Sequence, residues 1–384
     1  MTAAAGQRLA WWQHALAVAA LVAAIALRFH SALGSVAPLG DELAQEGAFR
    51  QVAAGQSPYV DGGYVYPPSL LRLGAALRTL PLASPFLPLR ALSLLGLAAI
   101  LWIATAWLTA NPWLRLALAT FYAVLAPGVR QGIEFGNLSF AVGGMIVLAL
   151  LVWERSAIAS GLLLGASLLV KPLAPAALVA LLFHRPQRRG HRHLLAVAIA
   201  VAAAALPLLA DPELGAFLRH GSGSWVVGRT VSLHRFLALA DARDGAAILT
   251  LVLLAVVAAV ARARVIDREQ LLAVALAGCV TVTPVVWNHT LVLTLPLQAI
   301  AIALAMARYR AATGPDRRWR RWEVAGIALA VAALTFAEGA TGIDDRGLAL
   351  QIVATLPPAL APAILAGYVV RFRTAIPARE PGIA

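Results

Sequence analysis

Long apolar runs, separated by short polar stretches, constrain this chain more than any other feature. They lie at about 10–28, 87–110, 113–128, 138–153, 156–170, 173–184, 194–210, 245–262, 269–284, 286–307, 322–337 and 347–370. A hydrocarbon core of about 30 Å is crossed by roughly 20 apolar residues in a helix. Within it, only helices and closed barrels satisfy their own backbone polar groups. Runs of this length point to helices, so the sequence predicts an all-α polytopic membrane protein with about twelve transmembrane helices, read as one membrane domain over residues 1–384. With 61% hydrophobic and 13% charged residues, the composition excludes a soluble globular domain.

The arginines set the orientation. They cluster in HRPQRRGHRH (184–193), ARARVIDRE (261–269), RYRAATGPDRRWRR (308–321) and RFRTAIPARE (371–380). With a cytoplasmic amino terminus and twelve spans, all four clusters fall on the cytoplasmic side, as the positive-inside rule requires. The net charge of +13 is then explained by topology and by attraction to anionic membrane lipids, and nucleic acid is not an expected partner. The same topology leaves loops of about 29–86 and 211–244, and a short one near 338–346, on the outer face. Apolar periodicity after an acidic start in the first loop predicts short interfacial helices. The amino-terminal run, which begins with Trp11 and Trp12, reads as an interfacial anchor rather than a cleaved leader. A single cysteine, Cys279, allows neither an intramolecular disulfide nor a cysteine metal site, and no cofactor or metal is expected. No internal repeat is visible, which weighs against an inverted-repeat transporter.

Polar residues from separated stretches converge on the outer face in this topology. Asp41 follows the first run directly. A carboxylate at the edge of a low-dielectric region is costly and suited to general-base chemistry, although Asp41 and Glu42 also fit the first turn of a helix. Lys171, the sole lysine among 31 basic residues, lies between two runs and is either a snorkelling side chain or a partner for phosphate. His289, with Arg229, His234 and Arg235, forms a candidate phosphate-binding set. Tyr64 and Tyr66 form either an aromatic belt or a wall for a sugar or prenyl chain. Asn137 reads as a helix cap or a ligand contact. Glu134 reads as a second acid or a loop charge, and Trp287 precedes the Asn288–His289 step.

The order of these motifs, VYPP (65–68), GNLS (136–139), GASLLVKPLAP (165–175), SLHR (232–235) and TPVVWNH (283–289) after an outer-loop acid, resembles glycosyltransferase family 87 over about residues 35–300. That resemblance implies a GT-C class fold and a polyprenyl-phosphate-sugar-dependent mannosyltransferase, with the catalytic acid at Asp41, the family histidine at His289 and its lysine at Lys171. Thr290 stands where the family often carries a second histidine. The expected reaction moves a sugar, mannose by family likeness, from the lipid-linked donor to a hydroxyl of a glycolipid or cell-envelope glycan acceptor, with inversion to an α linkage. It would take place on the extracytoplasmic face of the plasma membrane. Lys171, His289, Arg229, His234 and Arg235 would hold the donor phosphate, and Glu42, Tyr64, Tyr66, Glu134, Asn137 and Trp287 would contact sugar or lipid. The alternatives are an arabinofuranose donor for the same reaction, a transporter or flippase of lipid-linked sugars, and a non-catalytic membrane scaffold.

Overall fold

The structure is a computed structural model that describes residues 11–59, 64, 66–185, 191–224, 230, 232–239, 242, 245–263, 266–283, 286, 288–336 and 348–373. Among them all regular structure is helical. In chain order the helices are α1 (Trp11–Arg28), α2 (His30–Leu33), α3 (Gly40–Ala53), α4 (Pro68–Arg78), α5 (Leu87–Leu108), α6 (Pro112–Leu125), α7 (Pro127–Glu134), α8 (Ser139–Val152), α9 (Ala157–Val170) and α10 (Pro175–Phe183). They continue with α11 (Arg192–Leu209), α12 (Leu214–Ser224), α13 (His234–Leu239), α14 (Ala246–Ala263), α15 (Arg268–Val282), α16 (Asn288–Leu291), α17 (Leu295–Ala311), α18 (Gly314–Thr335) and α19 (Leu348–Phe372).

Each of the twelve apolar runs contains a helix, but their lengths differ from the expectation. Among the described residues six helical stretches are long and apolar enough to cross a membrane, or seven if α6 and α7, bent by 69° at Ala126–Pro127, count as one span. α8 and α9 have 14 residues each, about 21 Å at 1.5 Å per residue. Prolines cause much of the shortening, since the residue before a proline is pushed out of helical geometry. Pro127 follows a break between α6 and α7, and Pro172 follows the end of α9. The outer segment near 338–346 lies outside the described residues.

Local signals start several of the helices. Asn111 accepts from the N–H groups of Trp113 (2.9 Å) and Leu114 (3.3 Å) before Pro112 opens α6. Ser156 caps α9 by accepting from Ala159 N. At α15, Asp267 and Gln270 satisfy each other's backbone donors in a reciprocal cap.

One large core runs through the bundle. At its centre, α15 is buried on nearly every side, as a helix enclosed by others must be apolar all round. Leu206, Leu209, Ile248 and Leu251, on α11 and α14, are instead exposed at 66–73%, the outward apolar surface that lipid rather than water would cover. Small residues bring helices close. A Cβ on Gly144 of α8 would lie 2.5 Å from Gly96 Cα on α5, and one on Gly161 of α9 would lie 2.7 Å from Ala196 O on α11. A second, smaller core gathers Phe49, Tyr59, Tyr64, Tyr66, Leu70, Leu71 and Phe86 from the first long loop. The short helices α3 and α4 thus pack as a cap on the bundle. Arg72 ties α4 to the loop before α12 by a two-pronged bond to Asp211 (2.8 and 3.0 Å), and Ser57 bonds Glu213 (2.6 Å).

Gly144→Val forces branched carbons into the Gly96 backbone. It is expected to destabilise the bundle by about 1–3 kcal/mol, read as a lower thermal midpoint of the detergent-purified protein.

Candidate active site

The turn between α7 and α8 holds the site together. Asp41 lies in the first turn of α3, where its N–H donates to Phe135 O (2.7 Å) and docks the helix start on that turn. Its half-exposed carboxylate receives two donors on Oδ2, the Asn137 amide and the Tyr66 hydroxyl (3.4 Å). Oδ1 takes no partner among the described residues. Burial first, and Asp41 second, hold the Tyr66 hydroxyl far above its ordinary pKa, so it remains a proton donor to the carboxylate.

Asn137 is buried and uses its whole amide. Its nitrogen serves Asp41, while its oxygen accepts from Ser139 N (2.8 Å) and from Lys171 Nζ (3.4 Å). Leu138, not Asn137, stands at the N-cap of α8, and the Asn137 amide, one residue earlier, bridges two charged groups. Lys171 Nζ donates to Ser139 Oγ (2.9 Å) and sits 5.9 Å from the Tyr66 ring centroid. Its backbone is extended (φ −156°, ψ 130°), as Pro172 requires, and this throws the side chain off the end of α9 toward Asn137. Part of the lysine still reaches the surface, but dense packing pulls its pKa down to about 8, with Asp41 opposing the shift.

Beneath Asp41, Glu42 and Arg90 form a buried pair with Nε–Oε1 at 2.8 Å and Nη2–Oε2 at 2.6 Å. Glu42 Oε2 also accepts from Leu39 N (2.8 Å), while the guanidinium donates to the carbonyls of Leu33 (3.4 Å), Ser35 and Ala37 (3.0 Å). With both oxygens engaged, Glu42 acts as a brace for the chain rather than the sugar or lipid contact anticipated for it. Gly136 lies over the pair with φ +67°, and a Cβ there would come within 2.5 Å of Glu42 Oε1. Only glycine satisfies both demands.

His289 on α16 is buried against α7, where a Cβ on Gly132 would lie 2.9 Å from its own Cβ. Neither ring nitrogen has a hydrogen-bond partner among the described residues, and the ring is within electrostatic reach of Lys171. Thr290 Oγ1 lies 3.5 Å from Ser139 Oγ and links α16 to the Lys171 contacts.

Other anticipated residues fall elsewhere. His234 bonds Thr250 Oγ1 (2.9 Å), and Arg235 donates to Thr230 O (3.3 Å) and Gln351 Oε1 (3.4 Å), which places both among α13, α14 and α19. Burial pulls the His234 pKa down to about 4, and its ring is engaged by Thr250 on α14. Glu134 is an exposed surface acid paired with Arg130 at 2.9 Å. Tyr64 is buried in the smaller core with its ring against Tyr59 and Tyr66. Arg229 and Trp287 lie outside the described residues. Arg90, Ser139 and Gln45 belong to the cluster although sequence reasoning did not single them out. Ser139 stood in the GNLS motif and Gln45 one helical turn beyond Asp41, but nothing local marks Arg90. Among the described residues no group of three His, Cys, Asp or Glu side chains is placed to hold a metal ion.

The glycosyltransferase family 87 model matches residues 64–287, more than half of the chain. The chain therefore belongs to glycosyltransferase family 87 and is a membrane glycosyltransferase. The match encloses Asn137 and Lys171, while Asp41 and His289 flank it and join those residues through the fold. No significant match exists to a curated protein or to a solved structure.

Removing one member of the buried pair by Glu42→Leu strands the Arg90 charge. It is expected to cost about 3–5 kcal/mol, with most of the loss recovered in the Glu42→Leu/Arg90→Met double variant; thermal melting reads both. The folded protein holds the Lys171 proton less tightly than the unfolded chain, whose ordinary value is 10.5. Stability from this group therefore rises as pH climbs from about 8 toward 10.5. Lys171→Met should lack that component, seen as a flatter dependence of melting temperature on pH.

Proposed function

We propose that the protein transfers a sugar, mannose, from a polyprenyl-phosphate donor to a hydroxyl of a lipid-linked or cell-envelope glycan. The observation that carries this reading is a carboxylate and an ammonium group held one amide apart, Asp41–Asn137–Lys171, at one end of an apolar bundle. Basic groups in ion pairs lie on other helices, Arg373 with Glu269 at the start of α15 and Arg308 near the end of α17 with Glu323. Read with the positive-inside rule, this supports an extracytoplasmic position for the cluster at the plasma membrane. The twelve helices that coincide with the apolar runs would form a GT-C architecture, the shorter ones crossing as broken or interrupted spans.

In this mechanism Asp41 Oδ1 takes the proton of the acceptor hydroxyl as its oxygen bonds to the anomeric carbon. The bond from that carbon to the phosphate oxygen breaks on the opposite side, and the prenyl phosphate leaves with the electron pair. Configuration inverts, so a β-linked donor gives an α-linked product. Lys171 stabilises the departing phosphate, and His289 offers a ring N–H to it. A phosphate leaving group needs no second carboxylic acid, in contrast to the paired acids of glycosidases. The proposal assigns no role to a metal or cofactor, and none to His234 or Arg235 at the phosphate.

Asp41→Asn preserves shape and removes the base. It is expected to lower mannose transfer from polyprenyl phosphate mannose by about 10²–10⁴-fold while donor binding persists. An Asp41→Asn protein with wild-type turnover would remove the assignment, and donor movement across vesicles without transfer would favour a transporter.

A further inference from the structure

The cluster contains one polar side chain that the mechanism leaves unused. Gln45 follows Asp41 by four residues on α3, so the two share one face of the helix. It is completely buried, and neither its Oε1 nor its Nε2 has a hydrogen-bond partner among the described residues. The amide lies within electrostatic reach of the Tyr66 hydroxyl, which donates to Asp41. Buried amides are almost always paired, because an unmade bond forfeits the hydration it replaced. An apolar side chain of the same volume would fill the position without that cost, so an amide here calls for a ligand.

We propose that Gln45 is a sugar-binding residue whose amide grips two neighbouring hydroxyls of the pyranose reacting at Asp41. One carboxamide offers an acceptor and a donor about 2 Å apart, the pattern that a vicinal diol complements when one hydroxyl donates and the other accepts. The position one turn from the base places this recognition beside the reacting oxygen. The pyranose is either the donor sugar or the terminal sugar of the acceptor, and the chemistry is the same for both. This inference rests on the transferase reading above.

The test compares wild type, Gln45→Leu and Gln45→Glu as full-length protein in one detergent, with polyprenyl phosphate mannose as donor and octyl α-mannoside as acceptor probe. Gln45→Leu is expected to lose about 10–100-fold in kcat/KM, the penalty of losing one or two hydrogen bonds to substrate. It should nonetheless melt at or above the wild-type temperature, since two unpaired polar atoms have gone. Gln45→Glu, which keeps an acceptor, should recover part of the activity. A raised KM for the donor identifies the donor sugar as the ligand, and a raised KM for octyl α-mannoside identifies the acceptor. Wild-type kinetics in Gln45→Leu would overturn the proposal, as would a melting temperature clearly below wild type, which marks an amide held by a structural water. A wild type that transfers nothing rejects the transferase reading instead. The site is then judged by thermal stabilisation with the same two probes: stabilisation lost in Gln45→Leu keeps it, and equal or absent stabilisation in both proteins overturns it.

Discussion

The buried Glu42–Arg90 pair is the contact on which the outer end of the molecule depends. Two charges withdrawn from water cost several kcal/mol unless geometry and additional hydrogen bonds compensate. Here the compensation is extensive, since the arginine also serves three backbone carbonyls between Leu33 and Ala37 and the glutamate caps the Leu39 N–H. The pair therefore determines more than its own geometry. It closes the chain between α2 and α3, fixes the direction in which α3 leaves the bundle, and so sets where Asp41 points. Gly136 makes this closure possible by bringing the α7–α8 turn against the carboxylate with no side chain between them.

Above that brace, Asn137 joins elements far apart in the chain. A carboxylate and an ammonium in direct contact would neutralise each other and leave little for a substrate. An amide inserted between them satisfies one oxygen of Asp41 and part of the lysine while holding the charges apart, so an acceptor can approach the acid and an anion the base. Low dielectric surroundings strengthen both interactions, and the depressed Lys171 pKa is the trace of that environment.

Several of these features were legible in the sequence because they depend on neighbours only a few residues away. The apolar runs became helices. Lys-Pro ended α9 and exposed the lysine at its terminus, and Asn137 was recognisable as a residue that accepts a bond from Ser139 N. Span lengths were less legible, since hydropathy does not register the 69° bend between α6 and α7. The surroundings of Glu42 and His234 were also not legible. Glu42 meets Arg90, 48 residues away, and no local pattern announces such a pair. His234 has the residue type of a phosphate ligand, but burial lowers its pKa and its ring turns to Thr250 on α14.

By itself the sequence determined an all-helical chain rich in apolar helices and its membership of glycosyltransferase family 87, because hydrophobic run length, proline placement and motif order are properties of the primary structure. Only the tertiary structure decided which polar residues meet. Asp41, Asn137, Lys171 and His289 come from four separate helices or turns, and whether each side chain is buried, charged or free depends on packing between them. That packing rests on glycine contacts and on a buried ion pair, interactions between distant residues that composition and spacing do not encode.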